Sequence, residues 1–195
     1  MSNNTLALVA QPTAIDGQTS NGQPKTYFCR SGMVTTYKSL SFEYGYVKIT
    51  ARLPSELWMW PALWLAASNL QWPPEIDMME HWGLAGGTTG VFLHPVTNNP
   101  TLRLSGVGTW VKTTTDLTQG WHTFSIYWTP AEIIWYIDGH KVFSLTNGIP
   151  HQPMYLIMNL AYWPSAPFPQ GQPQVPANVT CAGQFLIRSV QVWQQ

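Results

Sequence analysis

Short segments in which apolar and polar residues alternate recur along the chain. This period of two is the pattern of β-strands, which favour β-branched and aromatic residues. The segments are residues 47–53, 123–128, 133–137, 141–145, 154–161 and 185–193. Asp138 and Gly139 separate two of them and predict a tight hairpin. Since no window has the period of an amphipathic helix, the pattern predicts an all-β protein built as a β-sandwich.

The chain has 195 residues and shows neither an internal repeat nor a linker, which predicts one domain over residues 1–195. Its first 25 residues are polar and rich in Gly, Asn and Gln, so we expect them to be partly irregular. The N-terminus lacks the basic stretch followed by an apolar run that marks a secretory signal peptide.

Charged residues make up only 9% of the chain, and nine basic residues balance nine acidic ones. A neutral chain has no electrostatic attraction for nucleic acid or an anionic membrane. The longest apolar run, residues 57–67, is too short to span a bilayer. Such a low charge is common in secreted proteins and in virion proteins, so we expect an extracellular location. The 11 Trp residues favour an aromatic-lined cleft in addition to a core, because sugar rings stack on indoles.

Two cysteines, Cys29 and Cys181, occur without the paired spacing of a metal site. We therefore expect no metal and no cofactor. The sequence leaves open whether the two form a disulfide, because it does not show whether their Cα atoms approach.

Three of the nine acidic residues lie within six positions, in Glu75-Ile-Asp77-Met-Met-Glu80. On a strand Glu75 and Asp77 share a face, whereas Glu80 needs one inserted residue, a β-bulge, to return to that face. Ile76 and Met78 then point into the core. Three carboxyls on one face repel each other, so stability gives no reason to place them there. Glycoside hydrolysis does, because a retaining enzyme needs two carboxyls about 5–5.5 Å apart, one as nucleophile and one as acid/base.

The alternative is an acidic turn exposed to solvent. The flanking residues argue against it, because bulky apolar side chains surround the cluster, namely Trp72, Ile76, Met78, Met79 and Trp82. No nucleophile elbow, phosphate-binding loop or metal-ligand spacing offers a competing chemistry. The residues therefore favour a catalytic centre at Glu75, Asp77 and Glu80.

Residues 60–83, which include WPALWLAASN and WPPEIDMMEHWG, resemble the laminarinase-type members of glycoside hydrolase family 16, whose signature is Glu-x-Asp-x-x-Glu. Further similar stretches lie in the family's order, and they are YGYVKITARLP (44–54), WHTFSIYWTPAEIIWYIDGHKV (121–142), PMYLIMNLAYWP (153–164) and FLIRSVQVW (185–193). The resemblance extends from about residue 31 to the end of the chain.

This resemblance implies a jelly-roll β-sandwich of two antiparallel sheets, of the concanavalin-A-like kind, with a substrate cleft on the concave face. It implies a retaining endo-β-glycanase that hydrolyses β-1,3 or mixed β-1,3/1,4 glucan, or a related galactan. The polysaccharide substrate is then the partner of the protein. By the same resemblance Glu75 is the nucleophile, Asp77 its partner and Glu80 the acid/base.

The chain departs from the family pattern in several places. Pro74 replaces a Gly before the first catalytic Glu, and Lys48 and Thr50 replace a Glu and an Arg. Arg188 replaces an Asp that is often a calcium ligand on the convex face. Set against the family pattern, we expect the usual N-terminal opening segment to be lacking and a sheet edge to be shortened or completed by a partner or second domain. These changes bear on stability and substrate choice more than on the catalytic carboxyls.

Four tryptophans are candidates for substrate contact. Trp60 and Trp64 alternate with leucines and are expected on the face of the acids, where each either stacks on sugar or packs in the core. Trp72 is expected at the cleft edge, three residues before Glu75. Trp110 follows two glycines and is expected in a loop, where an apolar ring is more often functional.

Two polar residues complete the candidates. His94 belongs to a predicted neighbouring strand and lies either beside the cleft or in a structural hydrogen bond. Asn159 shares a strand face with Tyr155 and Ile157, and the resemblance suggests that it contacts substrate or a catalytic carboxyl. His81 directly follows Glu80, so we expect it on the opposite face and not in the site.

Two other functions remain open from the sequence. A non-catalytic carbohydrate-binding or lectin-like domain of a secreted or virion protein would use the same sandwich, but it has no need of all three carboxyls. A glycan transferase would use the same glycosyl-enzyme with a sugar as acceptor, and the sequence does not separate it from a hydrolase.

We predict that the protein needs no metal ion. A guanidinium at position 188 opposes Ca²⁺, which binds carboxylate and carbonyl oxygens. EDTA should therefore leave the melting temperature unchanged in a thermal scan. A fall of several degrees that added Ca²⁺ reverses would contradict this.

Overall fold

The computed structural model of the protein describes residues 4–81, 90–96, 109–163 and 180–194, and for residues 90–96, 109–110 and 112 it describes the backbone alone. These residues form 14 strands. In chain order the strands are β1 (Leu6–Ala10), β2 (Ile15–Gln18), β3 (Pro24–Tyr27), β4 (Met33–Thr35), β5 (Gly45–Arg52), β6 (Met59–Ala67), β7 (Glu75–Glu80), β8 (Gly90–Val96), β9 (Thr109–Lys112), β10 (His122–Trp128), β11 (Ile133–Ile137), β12 (His140–Leu145), β13 (Met154–Tyr162) and β14 (Gly183–Trp193). Within these ranges there is no helix long and apolar enough to cross a membrane.

Two six-stranded sheets make up the fold. One has the strand order β1-β14-β5-β10-β11-β12, and the other has the order β4-β13-β6-β7-β8-β9. Neighbouring strands are antiparallel in both sheets. Strands β2 and β3 form a separate hairpin. This is the jelly-roll β-sandwich of two antiparallel sheets that the sequence predicted.

The hairpin between β11 and β12 shows how closely the local sequence specifies the strands. Ile137 pairs with His140, so Asp138 and Gly139 form a two-residue turn. Both turn residues have positive φ, 50° and 78°, which is the geometry that an Asp-Gly pair favours. The predicted hairpin is confirmed.

The core lies between the sheets and is built from alternate positions of their strands. Strand β5 contributes the buried side chains of Val47, Ile49 and Ala51. Strand β6 of the opposite sheet contributes Leu63 and Leu65 to the same core. The largest fully buried side chains include Trp128, Trp135, Phe42, Phe124 and Phe185. Residues at the intervening positions of β6, β7 and β13 face away from the core, and that outer face carries the candidate site.

The N-terminal residues are only partly irregular. Strand β1 pairs with β14 at the edge of the first sheet, and Leu8 and Ala10 are buried there at 4% and 2% exposure. These two apolar side chains on one strand face account for the order of this segment.

A disulfide joins Cys29 to Cys181, whose Cα atoms lie 5.7 Å apart. The bond ties the segment after β3 to the segment before β14, across 152 positions of sequence. The question that the sequence left open is thus answered. A cross-link over so long a loop restricts the unfolded chain strongly and stabilises the fold.

We expect the double substitution Cys29→Ser with Cys181→Ser to lower the free energy of unfolding by about 2–5 kcal/mol, because the unfolded chain regains the entropy of an open loop. Urea denaturation measures this loss. Dithiothreitol should reduce the stability of the wild type towards that of the variant and leave the variant unchanged. A wild type that is equally stable with and without reductant would contradict the prediction.

Candidate active site

Strand β7 carries the carboxylate cluster and lies between β6 and β8 in the middle of its sheet. Opposite β6, Asp77 pairs with Trp64 and Met79 pairs with Leu63, which leaves Met78 as an extra residue. The pairing of β7 with β8 is irregular at the same point. This is the β-bulge that the spacing predicted.

The bulge sorts the side chains of β7 between two faces. The core receives Ile76, Met78 and Met79, which are at most 1% exposed. Glu75 and Glu80 are half-buried, and Asp77 is only 3% exposed. All three acids line one cavity outside the sandwich core, so the predicted common face is confirmed.

A hydrogen bond from the opposite sheet reaches the bulge. Trp135 of β11 donates its indole Nε1–H to the main-chain carbonyl of Asp77 at 2.8 Å. Both residues are buried, so this carbonyl would be costly to leave without a donor. Trp135 therefore fixes the backbone of the acidic strand from behind.

The cavity in front of β7 has a volume of about 200 Å³. Three neighbouring strands line it, with the residues Trp60, Ala62, Trp64, Glu75, Asp77, Glu80, Asn159 and Ala161. A second and larger depression, about 610 Å³, lies near Arg52, Glu56 and Gln119. It contains none of the clustered acids, so its size alone does not make it the site of chemistry.

Each glutamate of the cluster accepts a hydrogen bond from an indole. Trp60 Nε1 donates to Glu80 Oε1 at 2.9 Å, and Trp72 Nε1 donates to Glu75 Oε2 at 2.8 Å. An indole N–H is a neutral donor with a rigid direction. The two carboxyl groups are therefore oriented without an added positive charge.

A third indole binds the floor of the cavity. Trp64 Nε1 donates to Asn159 Oδ1 at 2.7 Å, across the neighbouring strands β6 and β13. This contact occupies the amide oxygen of Asn159. Its NH₂ group is then the donor that it offers to a ligand.

Burial and mutual repulsion raise the pKa of two of the acids. Burial raises the pKa of Asp77 well above its usual value, and the charges of Glu75 and Glu80 and a hydrogen bond with Glu75 add to the rise. Burial also raises the pKa of Glu80 from 4.5 to about 7, while the Trp60 hydrogen bond opposes the rise and the charge of Glu75 adds to it. A carboxyl with a pKa near 7 can give and take a proton at neutral pH.

The structure brings most of the predicted contact residues together. Trp60, Trp64 and Asn159 line the cavity, and Trp72 is 62% exposed beside Glu75. His81 is buried and is absent from the cavity lining, in agreement with the expectation that it faces away.

Two candidates lie on strands of which the backbone is described. His94 belongs to β8 and pairs with Asp77, as expected of a neighbouring strand, but its side chain lies outside the described part. The expected loop at Trp110 is wrong, because Thr109–Lys112 forms β9 and Trp110 pairs with Phe92. The β-branched and aromatic residues of this segment outweigh the glycines before it.

Two tryptophans at the site escaped the sequence analysis. Trp135 could not be assigned, because a contact across the two sheets leaves no local pattern. Trp163 stacks on Trp60, with ring centroids 4.9 Å apart and planes at 26°. It had a signal, since it continues the alternation of Asn159 and Ala161 along the cleft face of β13.

Arg188, which replaces the Asp of the family pattern, is exposed on β14 in the sheet that does not carry the acids. The Arg188 guanidinium lies 3.9 Å from the ring centre of Trp121, in a cation–π contact. In the described part of the chain, no group of three or more His, Cys, Asp and Glu side chains is arranged to hold a metal ion.

The fold and the site together define a jelly-roll β-sandwich with a carboxyl-lined cleft. The model of the family "Glycosyl hydrolases family 16" matches residues 4–179. The chain therefore belongs to glycosyl hydrolases family 16.

Two curated relatives come from Rhizobium meliloti strain 1021. The endo-1,3-1,4-β-glycanase ExsH is 33% identical over 83% of this chain and 33% of its own length. The endo-1,3-1,4-β-glycanase EglC is 33% identical over 80% of this chain and 32% of its own length. The chain thus spans about a third of the length of these relatives.

Solved structures show the same fold. The laminarinase catalytic domain from Thermotoga maritima MSB8 superposes with a TM-score of 0.77 at 24% identity, covering 100% of this chain and 79% of that chain. The catalytic domain of an endo-1,3-β-glucanase from Thermotoga petrophila RKU-1 superposes with a TM-score of 0.76 at 25% identity, covering 99% and 78%.

We predict that Glu80→Gln stabilises the protein increasingly as pH rises. The unfolded chain releases the Glu80 proton near pH 4.5, whereas the folded protein holds it up to about pH 7. The raised pKa of Glu80 therefore contributes its full stability to the wild type below pH 4.5. This contribution to the free energy of unfolding is lost as the pH rises to about 7. Since one pKa unit is worth ~1.4 kcal/mol, the variant should gain up to ~3 kcal/mol relative to the wild type across this window.

Urea denaturation at intervals from pH 4 to pH 8 measures the difference. Asp77→Asn serves as the companion variant and should change the pH dependence in the same direction, since the pKa of Asp77 is also raised. Parallel pH profiles for Glu80→Gln and wild type would contradict the assignment of a raised Glu80 pKa.

Proposed function

We propose that this protein is a retaining endo-β-glycanase that hydrolyses β-1,3 or mixed β-1,3/1,4 glucan, or a related galactan. One observation carries the proposal. Glu75, Asp77 and Glu80 line a single cavity on the sheet surface, and burial and the neighbouring carboxyls raise the pKa of two of them. A binding protein gains nothing from repelling acids held in this way.

Glu80 fits the acid/base. With a pKa of about 7, it carries a proton in mildly acidic solution. Trp60 donates to its Oε1 atom, which leaves Oε2 to deliver the proton to the glycosidic oxygen of the leaving sugar. After the leaving group departs, the same carboxylate takes a proton from the incoming water.

Glu75 fits the nucleophile, which attacks the anomeric carbon and forms a glycosyl-enzyme. Its carboxyl accepts a hydrogen bond from Trp72 and shares another with Asp77. The pKa of Asp77 is raised well above its usual value, so a protonated Asp77 can donate to Glu75 instead of repelling it. Asp77 thus stabilises the negative charge of the Glu75 carboxylate through this hydrogen bond. The hydrogen bond weakens as Glu75 forms its bond to the anomeric carbon.

The cavity suits a chain of neutral sugars. Its lining combines two indoles, Trp60 and Trp64, with the amide of Asn159 and small alanine side chains. Indoles stack on the C–H faces of sugar rings, and the amide NH₂ can donate to a hydroxyl. The relatives named endo-1,3-1,4-β-glycanase favour a β-glucan, and a relative named keratan-sulfate endo-1,4-β-galactosidase, 28% identical, keeps a galactan among the candidates.

A secreted location accords with this substrate, because the polymer lies outside the cell. The disulfide between Cys29 and Cys181 supports it, since such bonds persist in oxidising compartments. We include an extracellular location in the proposal.

An assay of new reducing ends tests the proposal. The protein is incubated separately with laminarin, lichenan, agarose, carrageenan and xyloglucan. We expect laminarin or lichenan to be cleaved first, into several oligosaccharide sizes as endo action requires. Release of no reducing ends, with retained binding to one polymer, would indicate the lectin-like alternative. Longer products formed without net gain of reducing ends would indicate a transferase.

On the polymer that is cleaved, we predict that Glu75→Gln and Glu80→Gln each lower turnover by at least ~10³, as expected for loss of a nucleophile or an acid/base. Glu56→Gln, an exposed acid outside the cleft, is the matched control and should retain wild-type turnover. More than a tenth of wild-type turnover in both cleft variants would refute the assignment.

Proton NMR of the first product reads the stereochemistry in the same mixture. A covalent intermediate on Glu75 requires a β-anomer to form first from a β-linked polymer. An initial α-anomer would mean inversion and would exclude the glycosyl-enzyme.

A further inference from the structure

Trp163 directly follows β13 and packs flat against Trp60. The ring centroids are 4.9 Å apart and the planes are inclined by 26°. The main-chain N–H of Trp163 donates to the carbonyl of Trp58 at 3.0 Å, which ties the end of β13 to the start of β6. This hydrogen bond holds together the two backbone segments that carry the stacked rings.

Trp60 connects this stack to the proposed acid/base. Its Nε1–H donates to Glu80 Oε1 at 2.9 Å. An indole is a rigid plane, so a contact on its face sets the direction in which the N–H points. Since a hydrogen bond weakens steeply when its angle falls, the direction of that N–H decides whether Glu80 is bound.

We propose that Trp163 is a positioning residue, whose stacking on Trp60 holds the indole N–H against the carboxyl of Glu80. The proposal rests on the proposed function only in taking Glu80 as the acid/base. Trp163 acts on Glu80 through Trp60 and does not itself contact the reacting atoms.

Loss of the stack has a defined chemical consequence. The Trp60 hydrogen bond is the contribution that lowers the pKa of Glu80 against the effect of burial. An indole that turns away therefore leaves Glu80 with a tighter hold on its proton. Glu80 then gives up the proton less readily as an acid and is less often available as a base.

A different role for Trp163 would be direct stacking on a sugar ring. Such a contact would strengthen substrate binding and leave the titration of Glu80 in the free protein unchanged. The two roles are therefore separable without any substrate.

The test is a carboxyl ¹³C NMR titration of the full chain labelled at glutamate, which gives few signals because the chain has five glutamates: Glu43, Glu56, Glu75, Glu80 and Glu132. Glu80→Gln identifies the Glu80 signal. Four proteins form a cycle: the wild type, Trp60→Phe, Trp163→Ala and the double variant. Phe at position 60 keeps an aromatic face and removes the N–H.

We expect Trp163→Ala to raise the midpoint of the Glu80 titration by about 0.5–1 pH unit more in the wild-type background than in the Trp60→Phe background, the size expected from one hydrogen bond. The comparison removes any change in the hydration of Glu80, because the smaller side chain admits water in both backgrounds. Trp163→Phe, which can still stack, should restore the wild-type midpoint.

Trp193→Ala is the matched control. Trp193 is 47% exposed and packs against Tyr46 on the other sheet, with ring centroids 5.6 Å apart, so its removal should leave the Glu80 midpoint in place. On a cleaved polymer, Trp163→Ala should lower kcat more than it raises KM and shift the pH profile in the same direction as the titration.

Equal shifts in the two backgrounds, or no shift in either, would overturn the proposal. So would a rise in KM alone with an unchanged titration. A protein that cleaves none of the polymers while the titration moves as expected would refute the proposed function and uphold the positioning role, so the two failures are distinguishable.

Discussion

The single extra residue in β7 is the constraint on which the site depends. Without the bulge at Met78, strict alternation would turn Glu80 into the core as an unpaired acid, at a cost of several kcal/mol. With it, Glu80 joins Glu75 on the cleft side and the methionines fill the core. The Trp135 indole completes the arrangement from the opposite sheet by donating to the Asp77 carbonyl at the bulge.

Three carboxyls held close together repel each other when they are ionised. Raised pKa values reduce this repulsion, and neutral N–H donors orient the carboxyls. Asp77 is the most deeply buried of the three, so its pKa is raised well above the usual value, and it shares a hydrogen bond with Glu75. Glu80 is less buried, and its pKa rises to about 7. Burial thus raises the pKa of both carboxyls on one strand, and the pKa of Glu80 falls near neutrality, where a carboxyl can exchange its proton.

The sequence predicted what is local and periodic. The strands, the Asp138-Gly139 turn, the bulge and the common face of the acids all follow from spacings of a few residues. The sequence did not assign contacts between distant segments, such as Trp135 against β7 or the pairing of the two cysteines, because nothing local distinguishes a partner in the other sheet. Trp110 was expected in a loop because two glycines precede it. It lies instead on β9, where it pairs with Phe92 of β8.

Tryptophan N–H groups, and not Lys or Arg side chains, orient the two glutamates of this cleft, and the choice affects the chemistry. A Lys or Arg beside Glu80 would orient its carboxyl equally well, but an adjacent cation would lower the pKa and remove the proton that an acid must give. Neither residue type lines the described cavity. Trp60 and Trp72 donate neutral N–H groups instead, so they orient both glutamates without adding a positive charge. A chain with only 9% charged residues can therefore hold a carboxyl with a pKa of about 7 in a fixed orientation, provided that the indole that binds it is itself held in place.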